Sequence, residues 1–108
     1  MANDFKNAQA VGVTSVTTIY TSPAAKTSIL LELDIANTTG SVVEANVENF
    51  DTSASTDAFL VKNAPVPSGG TLQVVAGQKI ILEATDIVKV TATGAVDVVA
   101  AILEDVNS

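Results

Sequence analysis

The chain of 108 residues contains no cysteine, no histidine and no tryptophan, and all five of its basic residues are lysines. Each absence closes a class of chemistry. Without cysteine there is no disulfide framework, thiol nucleophile or thiolate metal site, and without histidine no imidazole to pair with a serine or to ligate zinc. Without arginine there is no planar guanidinium fork for phosphate or carboxylate. Aromatic residues make up 4%, so Phe5, Tyr20, Phe50 and Phe59 are the only large rings. No apolar run reaches the roughly 18–20 residues of a membrane-spanning helix. The opening Met1-Ala2-Asn3-Asp4-Phe5-Lys6 lacks the basic-then-apolar layout of a secretory signal, so synthesis in a cytoplasm is expected. Twelve acids against five lysines give a formal charge of −7, which repels nucleic acid and anionic membrane, and neither is an expected partner.

What the chain does have is valine, threonine, alanine and isoleucine, the residues of pleated, half-buried strands. Hydrophobic residues make up 47%, and with so few rings the core must be aliphatic. One domain is expected at this length, and a two-layer fold this small without disulfides gains from a partner. Apolar residues recur mostly at period two. In Ile29-Leu30-Leu31-Glu32-Leu33-Asp34-Ile35, positions 29, 31, 33 and 35 share one predicted face and Glu32 and Asp34 the other. The turn formers Asn37-Thr38-Thr39-Gly40-Ser41 follow, with Asn37 placed to bond its side chain to the backbone. Val43, Ala45 and Val47 then alternate with polar residues, so the two segments read as a hairpin.

Further strands are expected at 11–20, 58–62, 71–76, 79–83 and 87–93. The continuously apolar run from Val98 to Leu103 reads as the middle of a final, doubly buried strand over 96–104. About eight short strands with turn signals every 8–12 residues is the pattern of a β-sandwich or jelly roll. The expected fold is therefore all-β, a single domain over 11–108 preceded by a polar N-terminal arm at 1–10.

No constellation points to catalysis. Glu32 and Asp34 emerge on one strand face roughly 7 Å apart, a distance that suits glycoside hydrolysis, but the aromatic sugar platform is missing and a solvated face is the ordinary reading. Asp51, Thr52, Ser53, Ser55 and Asp57 gather oxygen ligands in one loop without the spacing of a calcium-binding hand. Ser68-Gly69-Gly70 with Gly77 and Lys79 lacks the spacing of a phosphate-binding loop and is turn chemistry. No catalytic residue, cofactor-binding residue or metal ligand is expected.

The order of segments resembles a family of small all-β virion proteins of tailed bacteriophages. The resemblance is carried by Thr18-Ile19-Tyr20-Thr21-Ser22-Pro23-Ala24-Ala25-Lys26-Thr27, by the Ala36-Asn37-Thr38-Thr39-Gly40 turn, and by Leu60-Val61-Lys62-Asn63-Ala64-Pro65-Val66-Pro67-Ser68-Gly69-Gly70-Thr71-Leu72. It continues through Gly77-Gln78-Lys79-Ile80-Ile81-Leu82-Glu83 and Asp86-Ile87-Val88-Lys89-Val90 to the valine-rich end, covering residues 11–104. It implies a non-enzymatic virion protein without cofactors, made in the host bacterial cytoplasm. Its implied role is capsid decoration or cement, with a place in the neck, tail or a fibre, carrying a carbohydrate- or receptor-binding surface, as the alternative. The implied partners are the major capsid protein or another virion protein and further copies of itself, with a trimer favoured. Phe5, Leu30 and Leu60 are the expected interface residues, apolar positions exposed on the monomer and covered in an assembly.

Overall fold

The computed structural model describes residues 4–106. Period-two patterning and abundant β-branched residues give eight strands among them. In chain order these are β1 (Asp4–Val13), β2 (Thr17–Thr21), β3 (Ser28–Asn37), β4 (Val43–Asp51), β5 (Thr56–Val66), β6 (Thr71–Leu82), β7 (Ile87–Ala92) and β8 (Val96–Glu104). They form two antiparallel four-stranded sheets, ordered β1-β8-β3-β6 and β2-β7-β4-β5. One rule generates both orders. β1 pairs with β8, β2 with β7, β3 with β6 and β4 with β5, so the chain is one long hairpin rolled up until β8 meets β3 and β7 meets β4. The result is an eight-stranded jelly roll.

Between the sheets lies an aliphatic core, with Leu30, Leu33, Ile35, Leu82 and Ile102 from the first sheet against Val47, Val66, Val88 and Val90 from the second, all with no exposed surface. Each buried side chain of this size contributes about 1.5–3 kcal/mol relative to exposure. The loops gather at two ends. At one, Thr38 Oγ1 donates to the Ala95 carbonyl and Ser68 Oγ to that of Thr39, joining the β3–β4, β5–β6 and β7–β8 loops. Gly94 permits a close approach there, since an added Cβ would lie 2.6 Å from Val43 Cγ1. At the other end the Ser22 amide donates to the Asp86 carbonyl and Thr52 N–H to Asp86 Oδ1, joining β2–β3, β4–β5 and β6–β7.

Several expectations need correction. The β3–β4 pair is no hairpin, because the chain leaves one sheet after Asn37 and enters the other at Val43. Asn37 makes the corner. Its Oδ1 accepts from the Thr39 amide and hydroxyl, and its Nδ2 donates to the carbonyls of Ser41 and Val66. A side chain that satisfies four backbone and hydroxyl groups substitutes for the ladder the chain has left.

The polar arm is a strand. Asp4 to Ala10 pair with Glu104 to Val98, and a bulge follows in which Gly12 takes φ +67°. Its polarity reflects an edge position, where only Ala8, Ala10 and Val13 turn inward. Residues 1–3 of the expected arm lie outside the described residues. β8 is buried on one face only, Val96, Val98, Ala100 and Ile102 pointing inward while Val99 is 47% exposed. The expected strands at 71–76 and 79–83 are a single β6 whose pairing is interrupted at 77–79, where Gly77 and Lys79 take positive φ, and the expected strand at 11–20 is broken between β1 and β2.

The phase of β3 also changes partway. Against β8 Leu31 is one residue too many, while against β6 it stands opposite three residues, 77–79, so Ser28 and Leu30 point inward before the slip and Leu33, Ile35 and Asn37 after it. An extra residue in a period-two strand is a β-bulge, and it keeps apolar residues inward where strict alternation would turn half of them out.

Candidate interaction surfaces

The outward side chains of the β1-β8-β3-β6 sheet form rows across all four strands. Phe5 pairs with Leu103, Leu103 with Ile29, and Ile29 with Ile81, so one row is apolar from edge to edge. Phe5 is 78% exposed and Ile81 55%. Paired residues point to the same side of an antiparallel ladder, and this side faces away from the core. A second row runs Gln9, Val99, Asp34, Gln73, and between the two Ala101 and Ala76 flank Glu32. Among the described residues no lysine occupies an outward paired position of this sheet, and Lys79 lies exposed in the unpaired stretch of β6 between Ala76 and Ile80.

Two carboxylates thus share a largely aliphatic surface. Burial pushes the Asp34 carboxyl up from 3.8 to about 6, helped by a proton shared with Glu32 and by that neighbour's charge. Asp34 Oδ1 is buried and has no hydrogen-bond partner among the described residues. The sequence expectation of a freely solvated pair is corrected for Asp34, which is half-buried, and holds for Glu32, which is exposed.

The outward face of β2-β7-β4-β5 is built differently. Here Glu48 pairs with Lys89 and Phe59, and Phe50 with Ile87 and Asp57. Lys89 Nζ lies 4.7 Å from the centre of the Phe50 ring and 4.0 Å from Asp57 Oδ2, and Lys62 Nζ lies 4.9 Å from the Phe59 ring. A proton shared with Asp57 raises the Glu48 pKa, as does burial, while Lys89 and Lys62 pull it down. The rings and charges of this face answer one another.

At the end carrying the β4–β5 and β6–β7 loops, carboxylate oxygens of Asp51, Glu83 and Asp86 lie within 4.8 Å of one another. The expected oxygen-rich loop is thereby divided. Asp51 meets residues 32 and 35 positions away, which no local spacing could reveal, whereas Asp57 turns to Lys89. Asp51 Oδ1 accepts from the Ser53 hydroxyl and from the amides of Ser53 and Ala54, and the Ser53 bond is the main reason its pKa is lowered. Asp86 Oδ1 accepts from Thr52 N–H and its Oδ2 from Glu83 N–H. Both carboxylates hold loop backbone.

Comparison of the chain with protein-family models and with curated proteins finds no match.

Of the three expected interface residues, Phe5 is open to solvent, Leu60 is half-buried against the core, and Leu30 is fully buried. Leu30 is corrected to a core residue. Its outward reading followed from uninterrupted alternation, which the bulge at Leu31 breaks. Sequence reasoning missed Ile29, Ile81, Val99 and Leu103. Their hydrophobicity is plain, but which side they take depends on the bulge and on partners distant in sequence.

Tyr20 closes the sandwich near the apolar row. Its hydroxyl donates to Glu104 Oε2 and lies 3.2 Å from Ser28 Oγ, and Lys6 Nζ approaches Glu104 Oε1 at 3.6 Å. Burial, then the bond to Glu104, pushes the phenol up to about 12. Tyr20 is a strut between sheets.

Proposed function

We propose that the protein is a non-enzymatic structural component of a tailed-bacteriophage virion, a capsid decoration or cement subunit that stabilises the shell through buried interface. It works as a homo-oligomer, a trimer about a local three-fold axis, and contacts the major capsid protein or another virion protein. The observation that carries the reading is the apolar row Phe5–Leu103–Ile29–Ile81 left on a solvent face of a small, otherwise acidic jelly roll. Apolar surface continuous across a sheet is a mark of contact. The segment resemblance over residues 11–104 supports the virion setting, and jelly rolls serve in viral capsids as well as in lectins.

A neck, tail or fibre protein that binds carbohydrate is the alternative reading. Such a site uses an open aromatic platform. Phe50 and Phe59 each lie beneath a lysine, which weighs against it.

Light scattering of the purified protein, followed by mixing with capsids of its own phage from which it is missing, tests the proposal. A trimer that binds in stoichiometric copies and raises the temperature of capsid rupture is expected. A monomer that ignores capsids would overturn it.

A further inference from the structure

We propose that the outward face of the β1-β8-β3-β6 sheet is the docking surface for a different protein, one whose contacting segment carries aliphatic side chains and a lysine or arginine directed at Glu32 and Asp34. This rests on the virion reading and names the face and the partner chemistry through which attachment occurs.

Three observations converge on that chemistry. The first is the edge-to-edge apolar row, continued by Ala101 and by Val99, which is 47% exposed. The second is the unpartnered, buried Oδ1 of Asp34 beside a second carboxylate. A buried polar atom without a hydrogen bond is costly, and a donor supplied from outside recovers that cost. The third is the charge pattern. This sheet carries Glu32, Asp34 and Asp97 at outward paired positions, with the exposed Lys79 of β6 lying outside the paired register, whereas on the opposite face Lys62 and Lys89 already cover their own rings.

The same charges argue against a second copy as the occupant. Two such faces brought together about a two-fold axis would set carboxylates against carboxylates. Four of the five lysines are already engaged, Lys6 with Glu104, Lys26 with Asp105, Lys89 with Asp57 and Lys62 over Phe59, which leaves Lys79 on β6 as a single cation against three outward carboxylates. A basic, aliphatic strip on another protein answers both features of the face at once. Copies in a trimer would then meet through other surfaces.

The test uses capsids of the protein's own phage that lack it, titrated with the full chain and with three variants, each checked for an unchanged circular dichroism spectrum. Ile81→Asp places a charge in the apolar row at an exposed position, and at least about a tenfold loss of affinity is expected. Asp34→Asn is expected to weaken binding and to reduce its dependence on salt, because one charge pair is lost. Phe59→Ser, on the other sheet, is expected to bind like the parent. Should the parent chain bind while Ile81→Asp and Asp34→Asn bind equally well, the docking inference is overturned and the virion reading stands. Should the parent chain fail to bind at all, both fall. A parent dimer in solution that Ile81→Asp dissociates would identify a second copy as the occupant and likewise overturn the inference.

Discussion

At Asp34 a carboxyl group meets burial on one side and a second carboxylate on the other, and its proton records both. Its pKa rises from 3.8 to about 6, so between those values the folded chain holds a proton that the unfolded chain has released. Stability from this group is therefore complete below about pH 4, falls as pH rises to about 6, and stays at the lower level above. Asp34→Asn removes the penalty. Because Asp34 is only half-buried and Glu32 is exposed, solvent screens part of the effect, and a gain of about 1 kcal/mol at pH 7 is expected, vanishing near pH 4, as read from urea denaturation at the two pH values. Equal effects at both would assign the gain to packing. A variant that is more stable yet binds capsids less well would separate the residue's role in contact from its role in the fold.

At the scale of the strand, the extra residue Leu31 decides which side chains enter the core. Deleting Leu31 restores regular pairing of β3 with β8 and leaves Leu33 and Ile35 inward, so a folded protein is expected at a cost of about 1–2 kcal/mol. Deleting Asp34 instead turns Ile35 outward, and loss of cooperative unfolding is expected. Thermal melts followed by circular dichroism compare the two, and equal damage would show that the bulge does not set the phase. β1 makes a second case. Removing residues 1–10 strips the edge from β8 and uncovers the side of Ala100 and Ile102, for an expected loss of roughly 2–4 kcal/mol and association through the bared valine-rich strand. An unchanged melting temperature would return β1 to the status of a detachable arm.

For the molecule as a whole, the rolled topology makes nearly every pairing non-local. Among the described strands only β4 and β5 are neighbours both in sequence and in a sheet, and β1 must find β8 across most of the chain. Chain closure over such distances costs entropy before contacts repay it. Refolding by stopped-flow dilution is expected to take milliseconds to seconds, as for other all-β sandwiches, with the β4–β5 hairpin the first element to form. Microsecond folding would contradict this. Accelerated refolding by a substitution that strengthens the Asp51–Ser53 turn would support the order of events.

What was legible in the sequence follows from what each feature depends on. Strand existence, the aliphatic core and the absence of imidazole and thiol chemistry are local or compositional, so they were legible residue by residue. So was the side-chain bond of Asn37 to the backbone two residues on. Phe5 was legible as exposed, but its neighbours Leu103, Ile29 and Ile81 were not, because a row across a sheet is made from register. The change of sheet after Asn37, the pairing of β1 with β8 and the meeting of Asp51 with Glu83 and Asp86 also join residues far apart in the chain. The sequence alone determined an all-β, aliphatic, acidic domain, since propensity, periodicity and charge act over a few neighbouring residues. Only the tertiary structure decided the jelly-roll order and which apolar residues face solvent, because a single bulged residue inverts the inward side of a strand and long-range pairing sets its neighbours.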